Sequence, residues 1–180
     1  MPSLVAACVL SSIQPDRSLG ITAIDKRAAS GAVQVRRLGL HGDVQVDRKN
    51  HGGFDKAVYA YGQDDADFWS SQLGRPLHPG WFGENLRVEG IDVNGARPGD
   101  RWRIGGSVEL EVTMPRSPCA TFARWVGGAD ARGWVKRFAD EGRLGAYLRV
   151  IHTGPVQAGD PIELIWTDSG APTILEMFRA

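Results

Sequence analysis

Arg97-Pro98-Gly99-Asp100-Arg101-Trp102-Arg103-Ile104-Gly105-Gly106-Ser107-Val108-Glu109-Leu110-Glu111-Val112-Thr113-Met114 reads as a turn, a strand, a turn and a second strand. Pro98-Gly99-Asp100 is strong turn chemistry: proline presets φ, glycine accepts positive φ, and aspartate hydrogen-bonds nearby backbone. Trp102 and Ile104 alternate with Arg101 and Arg103, and beyond Gly105-Gly106 the residues Val108, Leu110, Val112 and Met114 recur at period two. That spacing predicts an antiparallel hairpin with one apolar face. Gln157-Ala158-Gly159-Asp160-Pro161-Ile162-Glu163-Leu164 repeats the device, a Gly-Asp turn opening an alternating strand. We read it as repeated turn chemistry within one barrel-like sheet, not as a repeat array.

The hairpin runs straight into Met114-Pro115-Arg116-Ser117-Pro118-Cys119-Ala120-Thr121. Pro115 cannot donate a ladder hydrogen bond, so the strand is expected to stop there. Ser117 and Pro118 fit an N-cap and a first helical residue, predicting a helix from Pro118 to Val126 with Cys119 in its first turn. Unpaired N–H groups and the positive dipole end favour an anion at that place. A thiol there, with Arg116 upstream, is expected to have a pKa of roughly 3.5–7.5 rather than about 8.5. It would serve as a nucleophile or a soft metal ligand. Free cysteines are also among the most buried residues, so an inert structural cysteine is the competing reading.

The 180 residues suit one domain with a sizeable core. Hydrophobic residues make up 42% and charged residues 23%, ordinary for a soluble globular protein. Lys plus Arg and Asp plus Glu are 21 each, which argues against a general nucleic-acid or membrane-surface binder. Two cysteines, Cys8 and Cys119, suit a reducing compartment, and the apolar start from Leu4 to Leu10 is too short to span a bilayer and has no basic flank. A cytoplasmic location is the expectation.

Strands are predicted over Leu4–Ile13, with Cys8 as a small core residue, and over Ile21–Ile24, Val33–Arg37, Ala57–Tyr61, Arg87–Glu89 and Ala146–His152. Gln14 to Gly20 reads as a turn. Helices are predicted over Asp64–Leu73, capped by Asp64 with Phe68 and Leu73 inward, and over Asp130–Glu141, stopped by Gly142. The segment from His41 to Lys56 is polar, glycine-punctuated and long for a connection, which is a mark of function. The expected fold is mainly β (α+β), a β-barrel-like domain over residues 1–166 with short helical insertions. Residues 167–180 leave the sheet pattern and form a tail, read as a short helix.

Several chemistries lack their motifs. There is no phosphate loop ending in Lys-Ser or Lys-Thr, no CxxC, and no HExxH among His41, His51, His78 and His152. Lys26 and Arg27 form a cationic pair, either a ligand contact or a solvated surface pair. His51 with Gly52-Gly53 can hold an oxyanion or be an ordinary turn. Glu84-Asn85 can orient a ligand or satisfy loop backbone. Arg116 can grip a phosphate or carboxylate bidentately, or pair with a surface acid. Together these residues describe a pocket with a thiolate and several cations, suited to an anionic, metal-bearing ligand.

Four segments taken in order resemble the MOSC domain, the C-terminal domain of molybdenum cofactor sulfurases. They are Gly39-Leu40-His41-Gly42-Asp43, Asn50-His51-Gly52-Gly53-Phe54-Asp55-Lys56-Ala57-Val58, Phe82-Gly83-Glu84-Asn85-Leu86 and Pro115-Arg116-Ser117-Pro118-Cys119. Thr22-Ala23-Ile24-Asp25-Lys26 is further similar to the stand-alone bacterial branch linked to resistance against N-hydroxylated base analogues. The resemblance spans Leu4 to Trp166. It implies a β-barrel domain that binds the molybdenum cofactor, a pterin phosphate whose dithiolene holds the metal. Cys119 matches the family's metal ligand, and Lys26, His51, Asn85 and Arg116 match residues that hold the cofactor or line its site.

The implied activity is a molybdenum-dependent reduction of N-hydroxylated small molecules, such as hydroxylaminopurines, a detoxifying reaction. Cys119 and His51 would be its catalytic residues, with His51 as proton donor because its ordinary pKa lies near neutrality. Lys26, Arg27, His51, Gly52, Asn85 and Arg116 are the cofactor-binding candidates. The chain has no flavin, haem or iron–sulfur motif, so electrons are expected from a separate protein; homo-oligomerisation is compatible with this reading. The alternative is a non-catalytic carrier of the cofactor, or of sulfur on Cys119. No segment resembles a pyridoxal-phosphate sulfurase domain or the N-terminal domain of the mitochondrial reductases. The chain also ends soon after the barrel, where stand-alone relatives often continue into a helical extension.

Overall fold

A computed structural model describes residues 1–46 and 52–180. Its strands are β1 (Ser3–Asp16), β2 (Gly20–Ala28), β3 (Val33–Arg36), β4 (Gly39–Leu40), β5 (Val58–Gly62), β6 (Leu86–Glu89), β7 (Arg101–Ile104), β8 (Val108–Pro115), β9 (Ala146–His152), β10 (Gly154–Val156) and β11 (Ile162–Trp166). Its helices are α1 (Gln63–Leu73), α2 (Ala120–Gly127), α3 (Trp134–Glu141) and α4 (Ile174–Arg179), with short 3-10 turns at Phe54–Lys56 and Gly128–Asp130. Among the described residues no helix is long and apolar enough to cross a membrane.

The predicted hairpin is β7–β8, in register Trp102 with Leu110 and Ile104 with Val108. These four side chains are fully buried, and the other face carries Arg101–Glu111 and Arg103–Glu109 ion pairs at 3.1 Å each. The two Gly-Asp turns are built alike. Asp100 Oδ2 accepts the Arg97 N–H at 2.9 Å and Asp160 Oδ2 accepts the Gln157 N–H at 2.9 Å.

The main sheet runs β11-β7-β8-β9-β5-β6-β1-β2, and a smaller one runs β10-β3-β4. Only the β5–β6 pair in the main sheet is parallel among the described ladders, and α1 supplies its crossover. β1 and β11 stand far apart in this order, yet Ser3 bridges Pro161 and the Leu4 N–H donates to the Asp160 carbonyl at 2.9 Å. The sheet therefore curls until its β11 edge meets the start of β1. That contact is an isolated bridge and not a ladder, so the expected barrel is not closed among the described residues. The architecture is mixed, mostly strands with a few helices.

β5 is buried along its whole length and separates two cores. Val58 and Ala60 face an aliphatic cluster with Leu4, Leu86, Trp102, Leu110 and Leu148. Tyr59 and Tyr61 face an aromatic cluster with Trp69, Phe82, Phe122, Phe138 and Tyr147, where the helices pack. Alternation along one strand thus assigns one face to the sheet interior and the other to the helical layer.

Two local expectations change, and the tail helix forms as read. β1 continues past Pro15 to Asp16, because Asp16 Oδ1 accepts the N–H groups of Ser18 and Leu19, each at 2.9 Å, and tightens the turn to three residues. α1 is capped by Gly62 instead of Asp64, and it buries Asp65, Ala66 and Trp69 while Phe68 and Leu73 stay half-buried. The tail forms α4, capped by a Thr173–Glu176 capping box and anchored by the buried Ile174.

The loop before β6 folds around a buried ion pair. Glu84 accepts the Gly80 N–H at 2.7 Å, the Phe82 N–H at 2.9 Å, and Arg87 Nε and Nη2 at 2.9 and 2.5 Å. Both side chains have no exposed surface. Gly80 has φ +90°, and a Cβ there would press into the Lys26 carbonyl, so only glycine lets this loop lie against β2. Arg87→Met, which strands the Glu84 charge, is expected to cost about 3–5 kcal/mol in urea unfolding, and adding Glu84→Gln should recover part of that loss.

Candidate functional site

Pro115 ends β8 as expected, but the helix starts later than Ser117-Pro118 implied. The Arg116 N–H donates to the Gly145 carbonyl at 3.3 Å, and the chain stays extended until Cys119, the N-cap of α2 at φ −134° and ψ 167°. Cys119 therefore stands at the mouth of the helix and not within its first turn. Its side chain makes no capping bond.

Cys119 opens into a cavity of about 680 Å³, counted with its open mouth. Lys26 from β2, Asp43 from the loop after β4, Asn85 from the loop before β6, Arg116 and Tyr147 also line it. The structure thus brings Lys26, Asn85, Arg116 and Cys119 together. Arg27 is not among the lining residues: as the next residue of β2 it leaves by the other face, half-exposed, 3.5 Å from Asp25. Gly52 is half-buried and does not line the cavity either. His51 lies outside the described residues.

Arg116 is 6% exposed. Its guanidinium lies 5.4 Å from the Tyr59 ring centre and 5.2 Å from that of Phe122, and it hydrogen-bonds the Cys119 side chain and, at 3.4 Å, the Ser117 carbonyl. Burial works against its charge, but Tyr147, Tyr59 and Cys119 raise its pKa above the ordinary arginine value. It forms no ion pair with a carboxylate among the described residues.

Lys26 is differently placed. Its Nζ lies 2.7 Å from Asp43 Oδ2, and the same oxygen accepts Asn85 Nδ2 at 2.8 Å. Asn85 Oδ1 accepts the Tyr59 N–H at 3.1 Å, and Nδ2 also reaches the Cys8 carbonyl at 3.4 Å. The amide is thus saturated by protein, and Asn85 shapes the wall more than it offers bonds to a ligand. Lys26 keeps two further N–H donors. Asp43 was not singled out from the sequence beyond its place in Gly42-Asp43; its Oδ1 is buried without a partner.

Cys8 behaves as read from the sequence. It is buried, and burial together with the Glu84 charge pushes its thiol far above the ordinary range. The thiol that lines the cavity is Cys119.

α2 is pinned by Arg124, whose Nη2 lies 2.7 Å from Asp16 Oδ2 and 2.8 Å from Ser18 Oγ. Burial alone would raise the Asp16 pKa, but hydrogen bonds from Ser18, Arg124 and the Leu19 N–H prevail and hold the carboxyl well below the usual range. The β1–β2 turn and the helix carrying Cys119 are thus tied at one carboxylate.

The curled sheet and its cavity define a small domain in which one cysteine stands beside a lysine and an arginine. The chain belongs to the MOSC domain family, whose model matches residues 47–163. It is 39% identical over 144 residues to the uncharacterized protein YflK of Bacillus subtilis, a match covering 80% of this chain and 63% of that protein. It is 32% identical over 149 residues to a protein of Gibberella moniliformis named "Reductase", covering 80% of this chain and 26% of that longer protein. Among solved structures, YiiM from Geobacillus stearothermophilus superposes with a TM-score of 0.79 at 26% identity, over 99% of this chain and 83% of that one. The chain spans less than two-thirds of the length of the curated relatives it matches.

Asp16→Asn should destabilise the chain by about 1.5–3 kcal/mol at neutral pH, the range for hydrogen bonds to a charged group. Because the folded pKa is depressed, this stabilisation is present above the unfolded value near 3.9 and is lost as pH falls through the folded one. Urea midpoints of wild type and variant are expected to differ in full above about pH 5 and to draw together only gradually as pH falls below about 4 towards the depressed folded pKa.

Proposed function

We propose that this chain is a molybdenum-cofactor-binding oxidoreductase that reduces N-hydroxylated small molecules with electrons from an external protein. The observation that carries this reading is Arg116: a buried guanidinium without a carboxylate partner among the described residues, beside the Cys119 sulfur in an open cavity. An isolated buried charge is costly, and an anionic ligand would offset it. Among the described residues no group of three or more His, Cys, Asp and Glu side chains gathers to hold a metal. In this reading the metal meets Cys119 with its other ligands supplied by the pterin dithiolene. The residues present fit that group.

In this reading the Cys119 sulfur holds the metal, Arg116 and the remaining Lys26 donors hold the anionic part of the cofactor, and Asp43 fixes the Lys26 ammonium. When bound, the cofactor supplies two-electron reduction. The overall reaction is R–NHOH + 2e⁻ + 2H⁺ → R–NH2 + H2O, with the N–O bond broken and its oxygen leaving as water. His51 is proposed as proton donor, since an imidazole titrates near neutral pH. Tyr59 and Tyr147 give the cavity an aromatic wall. The relative named a reductase supports redox chemistry in general terms.

Protein made in cells that synthesise the cofactor should carry molybdenum and pterin, and protein from cells that cannot should carry neither. Arg116→Met should lower pterin content about 10- to 100-fold, the loss of charge-assisted bonds worth about 1.5–3 kcal/mol. No molybdenum in any sample handled anaerobically would overturn the proposal. Bound cofactor that yields no amine from an N-hydroxylated base under chemical reductant would favour the carrier instead.

A further inference from the structure

We infer that the rim of this cavity is the docking face for an acidic electron-transfer protein, an assignment that rests on the reductase reading above. Several large apolar side chains near the cavity mouth are exposed to solvent. Leu19 and Val44 are 41% and 47% exposed, and both line the cavity. Ile21 follows Leu19 by two residues and is exposed as well. On the other side stand Leu38 and Phe54, 55% and 53% exposed. Gln45, in the cavity wall, ties both to the mouth: its Nε2 donates to the Leu38 carbonyl at 3.1 Å, and its Oε1 accepts the N–H of Gly53, the neighbour of Phe54, at 3.3 Å.

The charge around this apolar rim has one sign. The Arg37 guanidinium lies 5.2 Å from the Phe54 ring centre, and Arg17 is exposed two residues from Leu19. Arg17, Arg36 and Arg37 form no ion pair among the described residues. The acids of the same segments are neutralised: Asp16 by Arg124, Asp25 by Arg27, Asp43 by Lys26 and Asp55 by Arg149. The described residues from Asp16 to Lys56 hold 6 Lys and Arg against 4 Asp, while the whole chain is neutral. The rim is therefore basic within a balanced protein.

An apolar centre with arginines at its edge is the composition of a protein interface, and the excess of one sign selects an acidic partner. Redox encounters are small, below about 1,200 Å² in total, and rely on charge for steering. A partner seated on this rim would stand over the cavity that opens to Cys119 and Arg116. Two one-electron oxidations of the donor deliver the two electrons that the reaction consumes, and solvent supplies the two protons.

The test uses the cofactor-loaded full chain with an N-hydroxylated base and either dithionite or a reduced acidic donor protein, flavodoxin and a plant-type ferredoxin in turn. Phe54→Glu and Arg37→Glu should lower kcat/KM for the donor protein by about tenfold or more, and leave the dithionite rate within about twofold. Raising salt from about 0.05 to about 0.3 M should slow only the protein-driven reaction. The same variants should weaken binding of oxidised flavodoxin or ferredoxin to the cofactor-free chain, a readout independent of turnover. Equal losses with both kinds of donor, indifference to charge and salt, or no binding of either acidic protein would overturn the docking face while leaving the reductase reading intact. Cofactor-loaded chain that is inactive with dithionite would overturn the reductase reading, and the docking face with it.

Discussion

Arg116 is a cation buried where four pieces of the chain meet: the end of β8, Tyr59 of β5, Phe122 of α2 and the Cys119 N-cap. Two aromatic faces and a backbone carbonyl solvate it, which is weaker compensation than a carboxylate gives. Its neighbour in kind, Arg87, shows the alternative. Arg87 is enclosed with Glu84, which accepts from its guanidinium and from two backbone N–H groups, so that pair is closed and structural. The contrast separates charge used to hold a loop from charge left facing a cavity.

The topology explains how distant segments reach that cavity. β5, buried on both faces, carries Tyr59 and Tyr61 into the aromatic layer, and the hydroxyls of both are held by backbone carbonyls of Leu144 and Arg143. The Tyr59 N–H fixes Asn85, Asn85 and Lys26 share Asp43, and Gly80 lets the loop before β6 close on β2. α2 is then drawn against the β1–β2 turn by Asp16 and Arg124. Each wall of the site is thus anchored by a bond inside the fold, and rigid placement of this kind is what a bound cofactor needs.

Legibility from sequence followed the range of the forces involved. The β7–β8 hairpin and the two Gly-Asp turns were readable because alternation and turn chemistry act over a few residues. The start of α2 was misplaced because Ser117-Pro118 is a sound local cap, whereas the Arg116–Gly145 bond that keeps the chain extended crosses to another segment. Pro15 reads as a turn residue because the Asp16 carboxylate that moves the turn onward acts through hydrogen bonds rather than propensity. Lys26 and Arg27 could not be told apart until strand pairing fixed which one faces inward. Asp43 stayed hidden because its importance lies in partners 17 and 42 residues away. The curl of the sheet was visible as a pattern of many short strands, but the single Ser3–Pro161 bridge that replaces closure was not.

The most direct test of the account is X-ray absorption at the molybdenum edge on cofactor-loaded protein, comparing wild type with Cys119→Ser. The account predicts a metal–sulfur shell that is one sulfur poorer in the variant, with an oxygen or nitrogen neighbour in its place. An identical sulfur shell in both proteins would contradict it, because Cys119 would then not be the ligand around which the cavity is arranged.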